Sequence, residues 1–287
     1  MAEHAGDTVL VTDASTGIGR ACAVRLAARG FDVLAGVRRD EDGERLREAA
    51  AANGRLTPLR LDVTDADSVR DAGSAVAEHT GAGGLAGLVN NAGIAVGGPL
   101  EFLPREDVRR QFEVNLIGQI AVTQAMLAQL RKRRGRIVNM GSVGGRTPPP
   151  FVGPYAASKA ALRATSESLR RELRPWGIWV ATVQPGSIAT PIWDKGAASA
   201  QDLRGRLPDA TEELYGDVLN NVGATTEKMA AAGMPPERVA RVVEHALTAR
   251  RPKRDYVVGR DARIQVALDR VLPTRAFDGL VRRFMGV

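Results

Sequence analysis

Short apolar runs alternate with longer segments of helical periodicity along most of this 287-residue chain. Seven runs read as strands: TVLVT (8–12), DVLAGV (32–37), LTPLRLDV (56–63), LAGLVNNAG (85–93), RIVNMGS (136–142), IWVATVQPG (178–186) and DYVVG (255–259). They are nearly continuous in apolar residues, as expected of strands covered on both faces. Helical spacing fills the intervals, including residues 18–30, 66–80, 105–133 and 154–177. Strand–helix alternation with right-handed crossovers predicts an α/β fold, a doubly wound parallel sheet with helices on both faces. Residues 190–236 break the alternation between Pro-containing stretches and read as a small helical lid, and residues 260–287 as a helical tail. With no linker or repeat, residues 1–287 are expected to form one domain.

The first strand runs into VTDASTGIG (11–19), a tight turn opening a helix. Thr12, Ser15, Thr16, Gly17, Ile18 and Gly19 suit the pyrophosphate of a dinucleotide, which the free N–H groups of a helix N-terminus attract. Asp13 puts a carboxylate where such a turn ordinarily has glycine. Either it repels the phosphates, or it is a turn residue that accepts backbone N–H groups and tolerates unusual φ. The small residues beside it favour the second reading. The second strand ends in AGVRRDEDG, with Gly36 in place of the acid an NAD site needs and with Arg38 and Arg39 following. That combination points to NADP(H), with NAD(H) as the other possibility. Asp62 and Val63 close the third strand, where Asp62 either meets the adenine or caps the next helix.

Tyr155 and Lys159 in YAASK are four apart and face one side of a helix. An ammonium beside a phenol lowers its pKa from the free value of about 10 and makes it a general acid/base. Ser142 ends a strand at the carboxyl edge of the sheet, where ligands of such folds bind.

TDASTGIG, NNAG (90–93), Asn115 in VNLIG, Ser142, YAASK and PGSIAT (185–190) together resemble the short-chain dehydrogenase/reductase family, single-domain Rossmann type, over about residues 6–260. The resemblance implies alcohol–carbonyl interconversion with NAD(P). It implies Tyr155 as proton donor and acceptor, Lys159 lowering its pKa and holding the nicotinamide ribose, and Ser142 positioning the substrate oxygen. Asn115 would hold a water linking Lys159 to solvent. Asn90 to Gly93, with Asn91 and Ala92, would support the cofactor. Pro185, Gly186, Ile188 and Thr190 would hold the nicotinamide. The family's turn has glycine at position 13. The paired helices of the family, here 105–132 and 155–174, imply a homodimer or homotetramer.

Composition narrows the picture. A single cysteine, Cys22, excludes an internal disulfide, and no cysteine cluster offers a metal site. The start MAEHAGDTVLV lacks a signal-peptide pattern, and no run approaches the ~18 apolar residues of a membrane span, so a cytoplasmic protein with no integral membrane segment is expected. The net charge of +7 could suit nucleic acid, but its densest run, RKRRGR (131–136), reads as a helix end, and aromatics are only 4%. No nucleic-acid partner is expected. The lid and the loop after Ser142 are rich in apolar residues, which favours a small hydrophobic alcohol or carbonyl substrate. The tail could pack on the domain, cover the substrate entrance or touch a membrane. Its interruption by Pro273 and Gly279 favours the first two. A different functional class, a catalytically silent dinucleotide sensor, draws support from Asp13 and is opposed by the intact Asn115, Ser142, Tyr155 and Lys159.

Overall fold

The computed structural model describes His4, residues 6–50 and residues 55–287. Seven parallel strands form one sheet: β1 (Thr8–Val11), β2 (Asp32–Val37), β3 (Arg55–Arg60), β4 (Gly87–Asn90), β5 (Arg136–Met140), β6 (Trp179–Pro185) and β7 (Asp255–Val258). Their order is β3-β2-β1-β4-β5-β6-β7. The winding reverses between β1 and β4, and the crevice outside their carboxyl ends is where such sheets bind ligands.

Alternate strand residues feed two cores. Val9, Val33, Val89 and Val138 meet α1 (Gly17–Ala28), α2 (Asp40–Ala50) and α9 (Pro236–Thr248). Leu10, Leu34, Leu88 and Ile137 meet α3 (Ala66–Thr80), α5 (Gly118–Arg133) and the end of α6 (Gly153–Glu172). Both faces are buried, which is why the strands read as continuous apolar runs. Cys22 lies in the first core, and burial pushes its thiol up to about 12, so it is a packing residue.

Three departures from the pattern have physical reasons. Strand β3 ends at Arg60, short of Asp62 and Val63, and contains Pro58 paired with Ala35. As an edge strand it tolerates a residue with no N–H. Helix α2 lies outside the helical stretches read from the sequence: it buries Gly43, Leu46 and Ala50 at helical spacing, but Leu46 is its one large apolar residue; its first turn carries Asp40, Glu41 and Asp42, which favour the positive helix end. The expected continuous helix 105–133 is α4 (Arg105–Phe112), a π-helical turn at Glu113–Ile117, then α5.

The lid is α7 (Ile192–Arg204) and α8 (Asp209–Ala231). Buried Leu203 joins Val96 and Leu103 in a small separate cluster. The tail is α10 (Arg260–Val271) and α11 (Thr274–Met285). The basic run 131–136 does close helix α5: Arg131 stacks 4.8 Å over Trp176, Lys132 Nζ donates to the Gly81 carbonyl at 3.1 Å, and Arg133 pairs with Asp7. Among the described residues no helix is long and apolar enough to cross a membrane.

Candidate active site

The turn after β1 is fixed at the reversal point. Buried Thr12 accepts through Oγ1 from the Asn91 and Ala92 N–H groups at 2.9 and 3.0 Å. Asn91 Nδ2 returns two bonds, to the carbonyls of Thr12 and Asp13, each 3.2 Å. The Asp13 backbone is left-handed, φ +50°, a conformation aspartate tolerates better than most residues. Gly17 is also left-handed, φ +56°, and a Cβ there would come within 3.2 Å of Thr190 Cβ. A Cβ at Gly19 would collide with the Asp13 carbonyl, so only glycine lets the helix start this close to the turn. At the start of helix α1, Thr16 makes no side-chain cap bond and the first turn holds no acid. The leading N–H groups of the helix, beside half-buried Ser15 and Ile18, suit an anion.

On the β2 side, Gly36 is packed tightly, and a Cβ there would come within 3.2 Å of the Val11 carbonyl and 3.3 Å of Thr12 Cα. Arg38 and Arg39 follow on the surface. Arg39 pairs with Asp42 at 3.0 Å. Arg38 acts on Asp62: burial would raise that carboxyl, but two hydrogen bonds from Thr64 and the Arg38 charge hold it below the ordinary range. Asp62 Oδ1 accepts from the Thr64 N–H at 2.9 Å and its hydroxyl at 2.7 Å. The cap of α3 is Asp65 instead. Val63 packs its carbonyl against Gly118 at the start of α5.

Ser142, Tyr155, Lys159 and Asn115 come together at the carboxyl ends of β4 and β5. Ser142 Oγ caps a 3-10 turn at Val143–Gly145 by accepting from the Gly144 N–H at 3.1 Å. A Cβ on Gly144 would touch Ser142 Oγ at 3.5 Å and Tyr155 Cε1 at 3.8 Å, so the two side chains flank that glycine. Lys159 is 4% exposed and donates from Nζ to the Met140 carbonyl at 2.8 Å. Its ammonium lies 5.9 Å from the Tyr155 ring centroid. A Cβ at Gly93 would come within 3.3 Å of Lys159 Nζ and 3.4 Å of Asn115 Oδ1.

The electrostatics differ from the expected lysine effect. Burial pushes the Tyr155 phenol above its ordinary value, and the Ser142 hydroxyl pulls only part of the way back. Burial also brings Lys159 down, to about 8. Desolvation dominates both shifts: Lys159 is buried with its ammonium donating to the Met140 carbonyl, and the Tyr155 phenol is largely shut off from water.

Asn115 sits in the π-helical turn, fully buried. Its Oδ1 accepts from the Ile94 N–H at 2.8 Å, and Nδ2 donates to the Ile94 carbonyl at 3.0 Å and Ser158 Oγ at 3.1 Å. Two buried glutamines do similar work and were missed by pattern reading. Gln111 brackets the same loop through the Val96 N–H and the Ile94 carbonyl, at 2.7 and 2.9 Å. Gln119 donates to the Ala92 carbonyl at 2.6 Å. Behind them Asn90 donates to Thr123 at 2.8 Å and to Asn139 at 2.9 Å, tying β4 to α5 and β5.

The loop from Pro185 closes the site. Gly186 donates to the Val258 carbonyl at 2.9 Å, and Ile188 is bridged to Met234 at the end of the lid. Thr190 reaches across to Gly17. In the loop that follows Ser142, Phe151 has φ +64°, a strained conformation for a bulky residue. Its carbonyl accepts from the Gly98 N–H at 2.7 Å, and its ring meets Tyr215 of the lid edge-on at 6.0 Å. Tyr215 also meets Phe102 edge-on at 6.1 Å and donates to Glu101 Oε2 at 3.0 Å. Phe102 and Glu101 carry no sequence signal, because only the fold brings them against Tyr215 of the lid.

A tyrosine, lysine, serine and asparagine gathered beside a helix N-terminus at the reversal of a parallel sheet define a dinucleotide-linked oxidoreductase acting on CH–OH groups. The comparisons agree. The family model described as short chain dehydrogenase matches residues 7–201. Retinol dehydrogenase 5 of Mus musculus is 37% identical over 279 residues, covering 95% of this chain and 87% of that protein. The NADPH-dependent 3-dehydrocapnine reductase of Ornithobacterium rhinotracheale is 32% identical over 274 residues, covering 94% of each. Among solved structures, a short-chain dehydrogenase from Streptomyces avermitilis superposes with a TM-score of 0.76 at 30% identity, covering 96% of this chain and 95% of that one. The chain belongs to the short-chain dehydrogenase family.

Proposed function

We propose that the protein interconverts a hydrophobic secondary alcohol and its carbonyl compound with NADP(H), using Tyr155 as the acid/base. The observation that carries the reading is the Ser142–Tyr155 pair flanking Gly144, with the Lys159 ammonium 5.9 Å from the Tyr155 ring centroid; the contacts of Phe151, in the loop that follows Ser142, with Tyr215 of the lid, and of Tyr215 with Phe102, support an apolar substrate. The residues present fit a dinucleotide. Gly17 and Gly19 leave a backbone cradle at the start of α1. Thr12, Asp13, Ser15, Thr16 and Ile18 would surround the pyrophosphate, and Asp62 and Val63 the adenine. Asn91, Ala92, Gly93, Pro185, Gly186, Ile188 and Thr190 would flank the nicotinamide half. The bound nicotinamide supplies or accepts the hydride.

The chain's own groups manage the proton and the substrate oxygen. Ser142 offers its hydroxyl to that oxygen. The Tyr155 phenol, held above its ordinary value, is protonated at neutral pH and ready to donate to a carbonyl. Lys159 would hold the nicotinamide ribose and bring a buried positive charge near the phenol. Asn115 fixes the loop against which both act. Arg38 and Arg39 support NADP(H), since a guanidinium matches a phosphate and no acid stands at Gly36 to hold a ribose hydroxyl. A relative named for NADPH dependence lies in the same direction. The retinol dehydrogenase likeness agrees with an apolar substrate. We also infer a homodimer or homotetramer in the cytoplasm as one Rossmann domain with its lid and tail.

The test is NADPH and NADH oxidation with a bulky apolar ketone, a small polar sugar ketone and a 3-ketoacyl thioester. The expected result is the highest kcat/KM with NADPH and the apolar ketone, abolished in Tyr155→Phe. A decisive preference for either other substrate would overturn the substrate class and leave the Tyr155 chemistry standing. Light scattering at micromolar concentration tests the oligomer, and a monomer would refute it.

A further inference from the structure

We propose that helices α10 and α11 form a docking surface for a phospholipid bilayer carrying anionic headgroups. On α10, Ile264, Leu268 and Val271 are 59%, 37% and 77% exposed, at the i, i+4, i+7 spacing of a single helical stripe. On α11, Leu280 and Phe284, four apart, are 48% and 63% exposed. These are half of the large exposed apolar side chains among the described residues, gathered in the last tenth of the chain. Scattered apolar residues need no explanation, but two successive stripes do.

The helices bearing them are anchored. Ala262 is buried, and Asp261 accepts from the Ser187 N–H at 2.9 Å. At the far end Met285 is buried, and Asn221 of α8 donates to the Gly286 carbonyl at 3.1 Å. The apolar stripes are therefore the outer side of docked helices, not the inner side of a tail that failed to pack. The tail packs on the domain, one of the two roles expected of it, and also leaves apolar residues facing out.

Charge decides what covers that outer side. Arg260, Arg263, Arg270, Arg275, Arg282 and Arg283 are all exposed, and among the described residues none of the six is ion-paired. Some arginines elsewhere pair, as Arg25 and Arg29 do with Glu244 and Arg204 does with Glu212, and others, such as Arg38 and Arg47, do not; what marks the tail is six unpaired guanidiniums beside two apolar stripes. Three aspartates share the segment, and Asp261 is already engaged with Ser187. A second copy placed on this face by a two-fold axis would bring six more unneutralised guanidiniums against these. A bilayer surface offers both complements at once, an apolar boundary for the stripes and phosphates for the guanidiniums. The proposal does not depend on which alcohol the active site accepts.

The experiment is co-sedimentation of the full chain with phosphatidylcholine vesicles that contain phosphatidylglycerol, against vesicles of phosphatidylcholine alone. Binding is expected only with the anionic vesicles and should weaken as salt is raised. Each arginine near an anionic surface is worth about fivefold in partitioning, so Arg260→Glu/Arg283→Glu, at i−4 from Ile264 and i+3 from Leu280 and hence on the side of the stripes, should lower it by at least about 25-fold. Leu280→Asp/Phe284→Asp should release the protein as well. All four positions are exposed, so both variants should keep the wild-type thermal midpoint, which is measured alongside. Absence of binding to the anionic vesicles overturns the proposal, as does equal binding to both compositions. A change in oligomeric state by light scattering in Leu280→Asp/Phe284→Asp, with vesicle binding unaltered, would assign the face to a second copy instead.

Discussion

Lys159→Met should stabilise the cofactor-free protein while removing its activity. Burial holds the Lys159 amine at about 8 against an ordinary value of 10.5, so its ammonium is disfavoured in the folded state. At pH 7 the group is nevertheless charged in both folded and unfolded chains, and the folded state bears the whole penalty, about 3 kcal/mol at 1.36 kcal/mol per unit. Methionine fills nearly the same volume without the charge. It forfeits the hydrogen bond to the Met140 carbonyl, which offsets about 1 kcal/mol. The net gain of about 2 kcal/mol corresponds to a midpoint about 4–8 °C higher. The sign with pH follows from proton counting. Between 8 and 10.5 the unfolded chain binds the lysine proton and the folded chain releases it, so wild-type stability rises with pH over that window relative to the variant. Scanning calorimetry of both proteins from pH 7 to 10 should therefore find the variant ahead at pH 7 and the gap closing toward pH 10. A variant less stable at pH 7, or a gap that does not move with pH, would refute the reading of Lys159 as a strained buried cation.

Three further outcomes follow from the same geometry. Arg38→Asp should shift preference from NADP(H) toward NAD(H), read as the ratio of kcat/KM values; equal wild-type affinity for both, by calorimetric titration, would remove the basis for that assignment. Asp13→Gly and Asp13→Asn both suit the left-handed backbone and remove a negative charge from the phosphate turn, so each should tighten NADP(H) by on the order of 1 kcal/mol. Loss of affinity or of folding in both would mean that the carboxylate stabilises the turn. Phe151→Gly should raise KM for a bulky apolar ketone several-fold with little change in kcat, and should be more thermostable than Phe151→Ala, because glycine relieves the φ of +64° and alanine does not. The reverse order of stability would end the strain argument.

The strands were legible because a parallel sheet covered on both faces leaves runs that are apolar at nearly every position, and all seven lie where those runs are. The lid was legible as an interruption of the alternation. Its partners were not, since Glu101 and Phe102 meet Tyr215 across more than a hundred residues of sequence. Helix α2, on the outer edge of the sheet against β2 and β3, keeps helical spacing in Gly43, Leu46 and Ala50, but Leu46 is its one large apolar residue, so no apolar stripe marks it.

The motifs located the catalytic residues but not what holds them. The segment 105–133 has the apolar spacing of one helix, and the π turn that carries Asn115 leaves that spacing readable while altering the backbone. Gln111 and Gln119 look like ordinary polar helix positions. Yet the strand β4 ends at Asn90, and the next residues run through the protein without a neighbouring strand to pair with. Their buried N–H and C=O groups still require partners. Those partners are side chains: Thr12 for residues 91 and 92, Gln119 for Ala92, Asn115 and Gln111 for Ile94, and Gln111 again for Val96. Polar side chains that periodicity assigns to solvent are thus drawn inward by a stretch of backbone that has left the sheet, and the same stretch places Gly93 against Lys159.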